Sequence, residues 1–223
     1  MAAQPNDFEP FTDSYLAARS DVSAGIDFLI ERGALSRAQR YAGITRVTSD
    51  RLIAVGRAHG AREQAISHFI QAHSAAPEFP ETLSRIVASL GEILARFPSY
   101  RSALFAPAPA LSAFAVANLE LPIVYGSGLL RRTPRPIAVV PWERELSASS
   151  VLSIVRANPD SSAVLLASRG IVAYSNESFT KLAKFVVSLE ESAQLTINAH
   201  LLGGARALPP DAYEQMQQGI AGD

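Results

Sequence analysis

The segment at residues 162–204 reads SAVLLASRGIVAYSNESFTKLAKFVVSLEESAQLTINAHLLGG and carries the clearest structural signals in the chain. Its aliphatic runs at 163–167 and 171–174 flank Ser168-Arg169-Gly170, a pattern that predicts two strands joined by a tight turn. Asn176 is predicted to cap a long helix that ends at Gly203-Gly204, because glycine commonly follows the last helical turn. One face of this helix is apolar at helical spacing: Leu182, Phe185, Val186, Leu189 and Ala193.

Strand and helix patterns alternate along the rest of the chain, which predicts an α/β domain. Hairpins expected at 43–55 and 163–174 bring antiparallel pairs into the sheet, so the sheet is not purely parallel. We therefore expect a single three-layer domain at 12–223, with a mixed or antiparallel central sheet flanked by helices, and a mobile tail at 1–11. Helices are expected at 13–32, 60–73, 82–97, 110–118 and 147–156, and further strands at 102–106 and 137–140.

Composition excludes several classes of site and partner. The chain has 223 residues and no cysteine, so it has no disulfide, no thiolate nucleophile and no cysteine-ligated metal. A net charge of −1 lacks the basic excess typical of nucleic-acid binding. No apolar run reaches the roughly 18 residues of a membrane helix. The start, MAAQPNDFEPFTD, has no signal-peptide pattern, and we expect a cytoplasmic protein.

The C-terminal segment resembles the end of a class II aldolase/adducin-like domain. The resemblance rests on the strand–turn–strand unit, on Leu189-Glu190-Glu191-Ser192-Ala193 in the following helix, and on PIAVVPW at residues 136–142. It extends in weaker form over about residues 20–215. Upstream, FPSYRSALF at 97–105 resembles the family's approach to its metal site. The resemblance implies the three-layer fold already expected from the pattern.

The residues that carry the family's chemistry differ in this chain. The resemblance implies three metal-binding histidines, and the aligned positions hold Phe105, Pro107 and Arg169. Zinc or a similar ion would polarise a substrate carbonyl there. A phenyl ring has no lone pair, proline offers no side-chain ligand, and a guanidinium is a permanent cation. The position of the catalytic glutamate falls on Ile86, with Glu81 as a nearby alternative, so we expect neither a metal cofactor nor an assigned catalytic base.

The remaining candidates concern anions. The family's phosphate-binding loop aligns with residues 43–45, where Gly43 and Thr45 are candidate ligand-binding residues. Arg169 lies at the hairpin tip, where it binds a carboxylate or phosphate of a small ligand, faces solvent, or pairs with a nearby carboxylate of the protein. The arginine run at 131–135 is either part of an anion site or a solvated loop. A metal contact among His59, Glu63, His68 and His73 is an alternative to reading these histidines as ordinary surface residues.

Three hypotheses of function follow. The first is a pseudoenzyme, a non-catalytic or repurposed module for binding or assembly. The second is a carbon–carbon lyase of the class II aldolase type with altered chemistry. It would act on a small phosphorylated or carboxylated substrate, with Arg169 as the anion clamp and Glu81 or Glu177 as the base. The third is an oligomerisation partner for an active paralogue. The resemblance also implies a homo-oligomer, commonly a tetramer, and no membrane or nucleic-acid partner.

Overall fold

The computed structural model describes residues 13–48, 51–58, 65–69, 79–124, 135–144 and 147–204, so the expected tail at 1–11 lies outside the described residues. The helices, in chain order, are α1 (Asp13–Glu31), α2 (Glu81–Arg96), α3 (Pro109–Ala117), α4 (Ala148–Ala157) and α5 (Phe179–Leu201). The strands are β1 (Tyr41–Arg46), β2 (Leu52–Arg57), β3 (Ala65–Phe69), β4 (Ser102–Ala106), β5 (Val139–Val140), β6 (Ala163–Leu166) and β7 (Gly170–Ser175).

The strands form one mixed seven-stranded sheet in the order β3-β2-β1-β4-β7-β6-β5. Only the β5–β6 pair is parallel among the described strands. Both predicted hairpins are confirmed. The helix expected at 60–73 is wrong, because residues 65–69 pair with β2 in antiparallel register, from Leu52↔Phe69 to Gly56↔Ala65. A short apolar run does not distinguish strand from helix until its pairing partner is known.

Helices cover both faces of the sheet, which confirms the three-layer α/β class. One apolar core joins α1, α3 and α5 to the sheet, and the other joins α2 and α4 to its opposite face. Side chains of β4 alternate between the two cores, with Leu104 in the first and Phe105 in the second. Among the described helices, none has the length and apolar character needed to cross a membrane.

The ring of Phe179, the first residue of α5, lies in a slot between two glycines. A Cβ on Gly25 of α1 would lie 2.6 Å from Phe179 Cδ1, and one on Gly43 of β1 would lie 2.6 Å from Cε2. Real Cβ atoms do not approach so closely, so both positions need glycine. Phe179 is fully buried in this slot. The start of α5 is thereby fixed against both α1 and β1.

A carboxylate from α1 caps the same helix end. Asp21 accepts hydrogen bonds from the backbone N–H groups of Phe179, at 2.7 Å, and Thr180, at 3.1 Å. The N-cap is Ser178, whose hydroxyl accepts from the N–H of Lys181 at 3.3 Å. The predicted cap Asn176 is therefore wrong, and the helix begins later than the sequence indicated because these tertiary contacts select Ser178.

A second carboxylate ties α5 to α3. Ala108, the N-cap of α3, makes no side-chain cap. The oxygens of Glu190 instead accept from the N–H groups of Ala110, at 2.6 Å, and Leu111, at 3.0 Å. Burial raises the pKa of Glu190, and these two hydrogen bonds oppose the rise. Because α3 begins directly after Pro107 and Ala108, Glu190 also fixes the chain that leaves β4.

We predict that Gly43→Ala lowers the free energy of unfolding by about 1–3 kcal/mol, because the added methyl group overpacks the slot that holds Phe179. The measurement is chemical denaturation, with Phe179→Leu and the double variant completing a cycle. The smaller leucine should accept the methyl group, so the double variant should be less destabilised than the sum of the single variants. Strictly additive effects would contradict the slot.

We predict that the stability difference between the wild type and Glu190→Gln shrinks as pH rises. A carboxyl whose folded pKa is raised stabilises the fold most below its unfolded pKa, and this contribution is lost as pH rises through the folded pKa. Denaturation between about pH 4 and about pH 7 tests this. Glu191→Gln, at an exposed position on the same helix, is the matched control. A difference that grows with pH would contradict the prediction.

Candidate functional site

A pocket of about 350 Å³ lies beyond the end of β4, beside the β6–β7 turn. Its lining residues are Gln39, Arg40, Phe105, Pro107 and Arg169. The pocket therefore brings together all three positions that the resemblance assigns to metal-binding histidines. Its volume is within the range of roughly 300–1,000 Å³ that is typical of small-molecule sites.

The β6–β7 turn reaches the pocket because of its backbone conformation. Gly170 has φ +134°, and a Cβ there would lie 2.5 Å from the carbonyl oxygen of Ala106 and 2.8 Å from Cα of Pro107. Ser168 adopts φ +59°, and its N–H donates to the carbonyl of Ala115 at 3.0 Å. The turn thus packs directly on the connection from β4 to α3, which places Arg169 beside Pro107.

The guanidinium of Arg169 is held by main-chain carbonyls. Its Nη2 donates to the carbonyl oxygens of Glu143 and, at 3.2 Å, of Arg144. The Glu143 side chain is engaged elsewhere, since it accepts from the hydroxyl of Ser150 and from the N–H of Ser147 at 3.3 Å. The Ser150 hydrogen bond is the main cause that lowers the pKa of Glu143, with a smaller contribution from the charge of Arg169. Arg169 is therefore oriented by neutral acceptors.

Arg40 brings a second positive charge to the pocket. Burial lowers the pKa of Arg40, and the nearby charge of Arg169 lowers it further. Neither arginine forms an ion pair with a carboxylate of the described residues. The preceding residue, Gln39, donates from Nε2 to the carbonyl of Pro107 at 3.2 Å and accepts from the N–H of Ser36 at 2.8 Å. These bonds hold the segment before β1 against the pocket wall.

The lining residues do not fit a divalent metal. Phe105 and Pro107 offer no side-chain ligand, and the two guanidinium groups would repel a cation. Across the described ranges, no group of three or more His, Cys, Asp or Glu side chains is placed to hold a metal. The side chains of His59, Glu63, His68 and His73 lie outside the described part of the chain, so that alternative stays a prediction.

The candidate bases do not line the pocket. Ile86 is buried in the apolar core between α2 and the sheet. Glu81 is exposed at the start of α2, where its carboxylate pairs with Arg85 at 2.6 Å. Glu177 pairs with Lys181 at 3.0 Å, and its carbonyl accepts from the hydroxyl of Ser102 at 3.1 Å. Ser102 begins β4, and the pocket lies beyond the other end of that strand. Glu177 is therefore at the end of β4 opposite the pocket.

The expected phosphate-binding loop at residues 43–45 is instead part of β1, so that expectation needs correction. Gly43 faces the Phe179 ring. Thr45 is buried, and its hydroxyl donates to the carbonyl of Arg101 at 3.4 Å. Gln39 and Arg40 directly precede β1 and were not singled out from the sequence. The resemblance to the family's phosphate-binding loop aligns with residues 43–45, a short distance further along the chain.

The arginine run at 131–135 lies largely outside the described residues. Its last member, Arg135, is described, and it forms an exposed ion pair with Asp160 at 3.8 Å. That contact places Arg135 on the surface with a carboxylate partner of its own. It is not among the residues that line the pocket.

Solved structures share this architecture. An L-fuculose 1-phosphate aldolase has 15% sequence identity and a TM-score of 0.70, over 92% of this chain and 95% of that one. An aldolase II superfamily protein from Pseudomonas syringae has 14% identity and a TM-score of 0.70, over 94% of this chain and 87% of the other. The L-fuculose-1-phosphate aldolase from Thermus thermophilus has 18% identity and a TM-score of 0.62, over 86% and 98% of the two chains.

Neither a protein-family model nor a curated protein sequence matches the chain. The likeness is therefore one of structure at low sequence identity, and it concerns the architecture rather than the chemistry of the pocket. The sheet, its two helical layers and the match over most of each chain agree in one conclusion. The chain has the fold of the class II aldolases.

Proposed function

We propose that this chain is a repurposed, non-catalytic small-ligand-binding module built on the class II aldolase fold. One observation carries the proposal. Phe105, Pro107 and Arg169, the positions aligned with metal-binding histidines, converge in a single pocket and supply no metal ligand. The space between these residues is large enough for a small molecule and is lined by two arginines, which supports a role in binding a small ligand.

The alternative is a carbon–carbon lyase that acts on a small phosphorylated or carboxylated substrate. It draws support from the shared fold with L-fuculose 1-phosphate aldolases. Aldol cleavage needs an electrophile to stabilise the enolate and a base to move a proton. Of the described residues that line the pocket, none is a carboxylate or a lysine. This composition favours binding over cleavage.

We predict that the purified protein contains well under one equivalent of zinc, manganese or iron. The donor set of the pocket is unsuited to a cation, so excess chelator should leave the melting temperature unchanged. Elemental analysis measures the metal content, and thermal unfolding with and without the chelator measures the change in melting temperature. Added zinc should also give no cleavage of L-fuculose 1-phosphate.

A tightly bound, stoichiometric metal would contradict the proposal. His68→Ala and His73→Ala variants would then show whether that metal uses histidines outside the pocket. Zinc-dependent cleavage of the sugar phosphate would favour the lyase alternative instead. An active enzyme of known aldolase type, treated identically, is the control for the assay.

We also propose that the chain forms a homo-oligomer, with a tetramer as the expected assembly. Support comes from large apolar side chains that are exposed, including Val116, Leu119 and Trp142. Val116 and Leu119 lie together at the end of α3, and a contiguous exposed apolar patch commonly marks a surface where proteins associate. Light scattering coupled to size-exclusion chromatography should give a mass above that of one chain. Val116→Asp combined with Leu119→Asp should lower the mass, and a monomeric wild type would contradict the proposal.

A further inference from the structure

We infer that the pocket binds an oxyanion, a carboxylate or a phosphate monoester, carried on a small apolar group and held jointly by Arg40 and Arg169. This inference rests on the proposed binding function and names its ligand class. It also assigns a ligand-binding role to Arg40. Carboxylate and phosphate both present pairs of oxygens that guanidinium groups recognise through paired hydrogen bonds.

The balance of charge is the first argument. Arg40 and Arg169 are both half-buried, both line one pocket, and neither forms an ion pair with a carboxylate of the described residues, although the charge of Arg169 does act on the Glu143 carboxylate. Burial lowers the pKa of Arg40, and the positive charge of Arg169 lowers it as well. An anion between the two arginines would offset both effects, because each cation would then face an opposite charge at short range.

The second argument is the hydrogen-bonding capacity that remains. The Nη2 of Arg169 is engaged by the carbonyls of Glu143 and Arg144, whereas its Nε and Nη1 make no hydrogen bond to a described residue. Arg40 likewise makes no side-chain hydrogen bond within the described part of the chain. The Pro107 carbonyl already accepts from Gln39. The wall is therefore rich in donors, which matches a ligand that only accepts.

The third argument is the apolar part of the wall. Pro107 is half-buried and lines the pocket, whereas Phe105 behind it is buried and offers almost no accessible surface. A bare inorganic anion would leave the exposed carbon surface of Pro107 in contact with water. A ligand with a small apolar body beside its charged head would cover that surface and gain burial energy. The volume of about 350 Å³ limits that body to a small group.

Calorimetric titration of the full chain tests the inference. The probes are phenyl phosphate, benzoate and inorganic phosphate, with benzamide as the neutral ligand matched in shape. We expect phenyl phosphate or benzoate to bind more tightly than both benzamide and inorganic phosphate. The binding should weaken as salt is added, because a charge-driven contact is screened. Which aryl anion binds more tightly identifies phosphate or carboxylate as the preferred head group.

Substitution of the arginines then locates the binding. Arg40→Gln and Arg169→Gln should each weaken binding of the tighter aryl anion by roughly tenfold to a hundredfold, the range for hydrogen bonds to charged groups. Arg156→Gln, at an exposed position on α4, should leave binding unchanged. Arg169 also holds the segment at 143–144, so loss of binding in Arg169→Gln could reflect a change in structure. Arg40→Gln is therefore the decisive variant, and its melting temperature is compared with that of the wild type to show that it is folded.

The outcomes separate the two proposals. Wild-type affinity in Arg40→Gln would overturn the inference, as would an affinity for benzamide equal to that for the tighter aryl anion. If the wild type binds none of the anions, the inference fails while the metal-free binding function is unaffected. A stoichiometric metal in the purified protein would instead overturn the proposed function.

Discussion

The position of the Phe179 ring between Gly25 and Gly43 is the constraint on which most of the structure depends. It joins a helix, a strand and the start of a second helix at one point, and no side chain larger than hydrogen fits on either glycine. Asp21 reinforces the junction because its carboxylate caps the same helix end. A shift of this ring would move α5 along its axis, and with it every contact that α5 makes further on.

The next contact along α5 is Glu190, roughly three turns after Phe179. Its carboxylate caps α3, so the position of α5 determines where the chain leaving β4 turns at Pro107. The β6–β7 turn then packs on that connection because Gly170 allows close approach. These successive contacts determine the position of Arg169. The pocket is therefore a consequence of helix capping and glycine packing that begins far from it in the chain.

The sequence predicted what is decided locally. The strands and turn at 163–174 and the helix expected at 147–156 depend on neighbouring residues, and Ser147 caps that helix by accepting from the N–H of Ser150. The start of α5 could not be chosen between Asn176 and Ser178, because the choice depends on Asp21 in α1. Arg169 could be assigned to a candidate site from the sequence, because it lies in a predicted turn that the resemblance aligns with a ligand position. Arg40 could not, because it approaches the pocket only through pairing of β1 with β4.

The charge of the pocket distinguishes it from a metal site. Phe105 and Pro107 offer a cation no side-chain ligand, and Arg40 and Arg169 would repel it. Burial lowers the pKa of Arg40, and the nearby charge of Arg169 lowers it further. A pocket in which Arg40 and Arg169 lie beside an apolar wall, with no ion pair to a carboxylate among the described residues, suits an anion better than a metal cation.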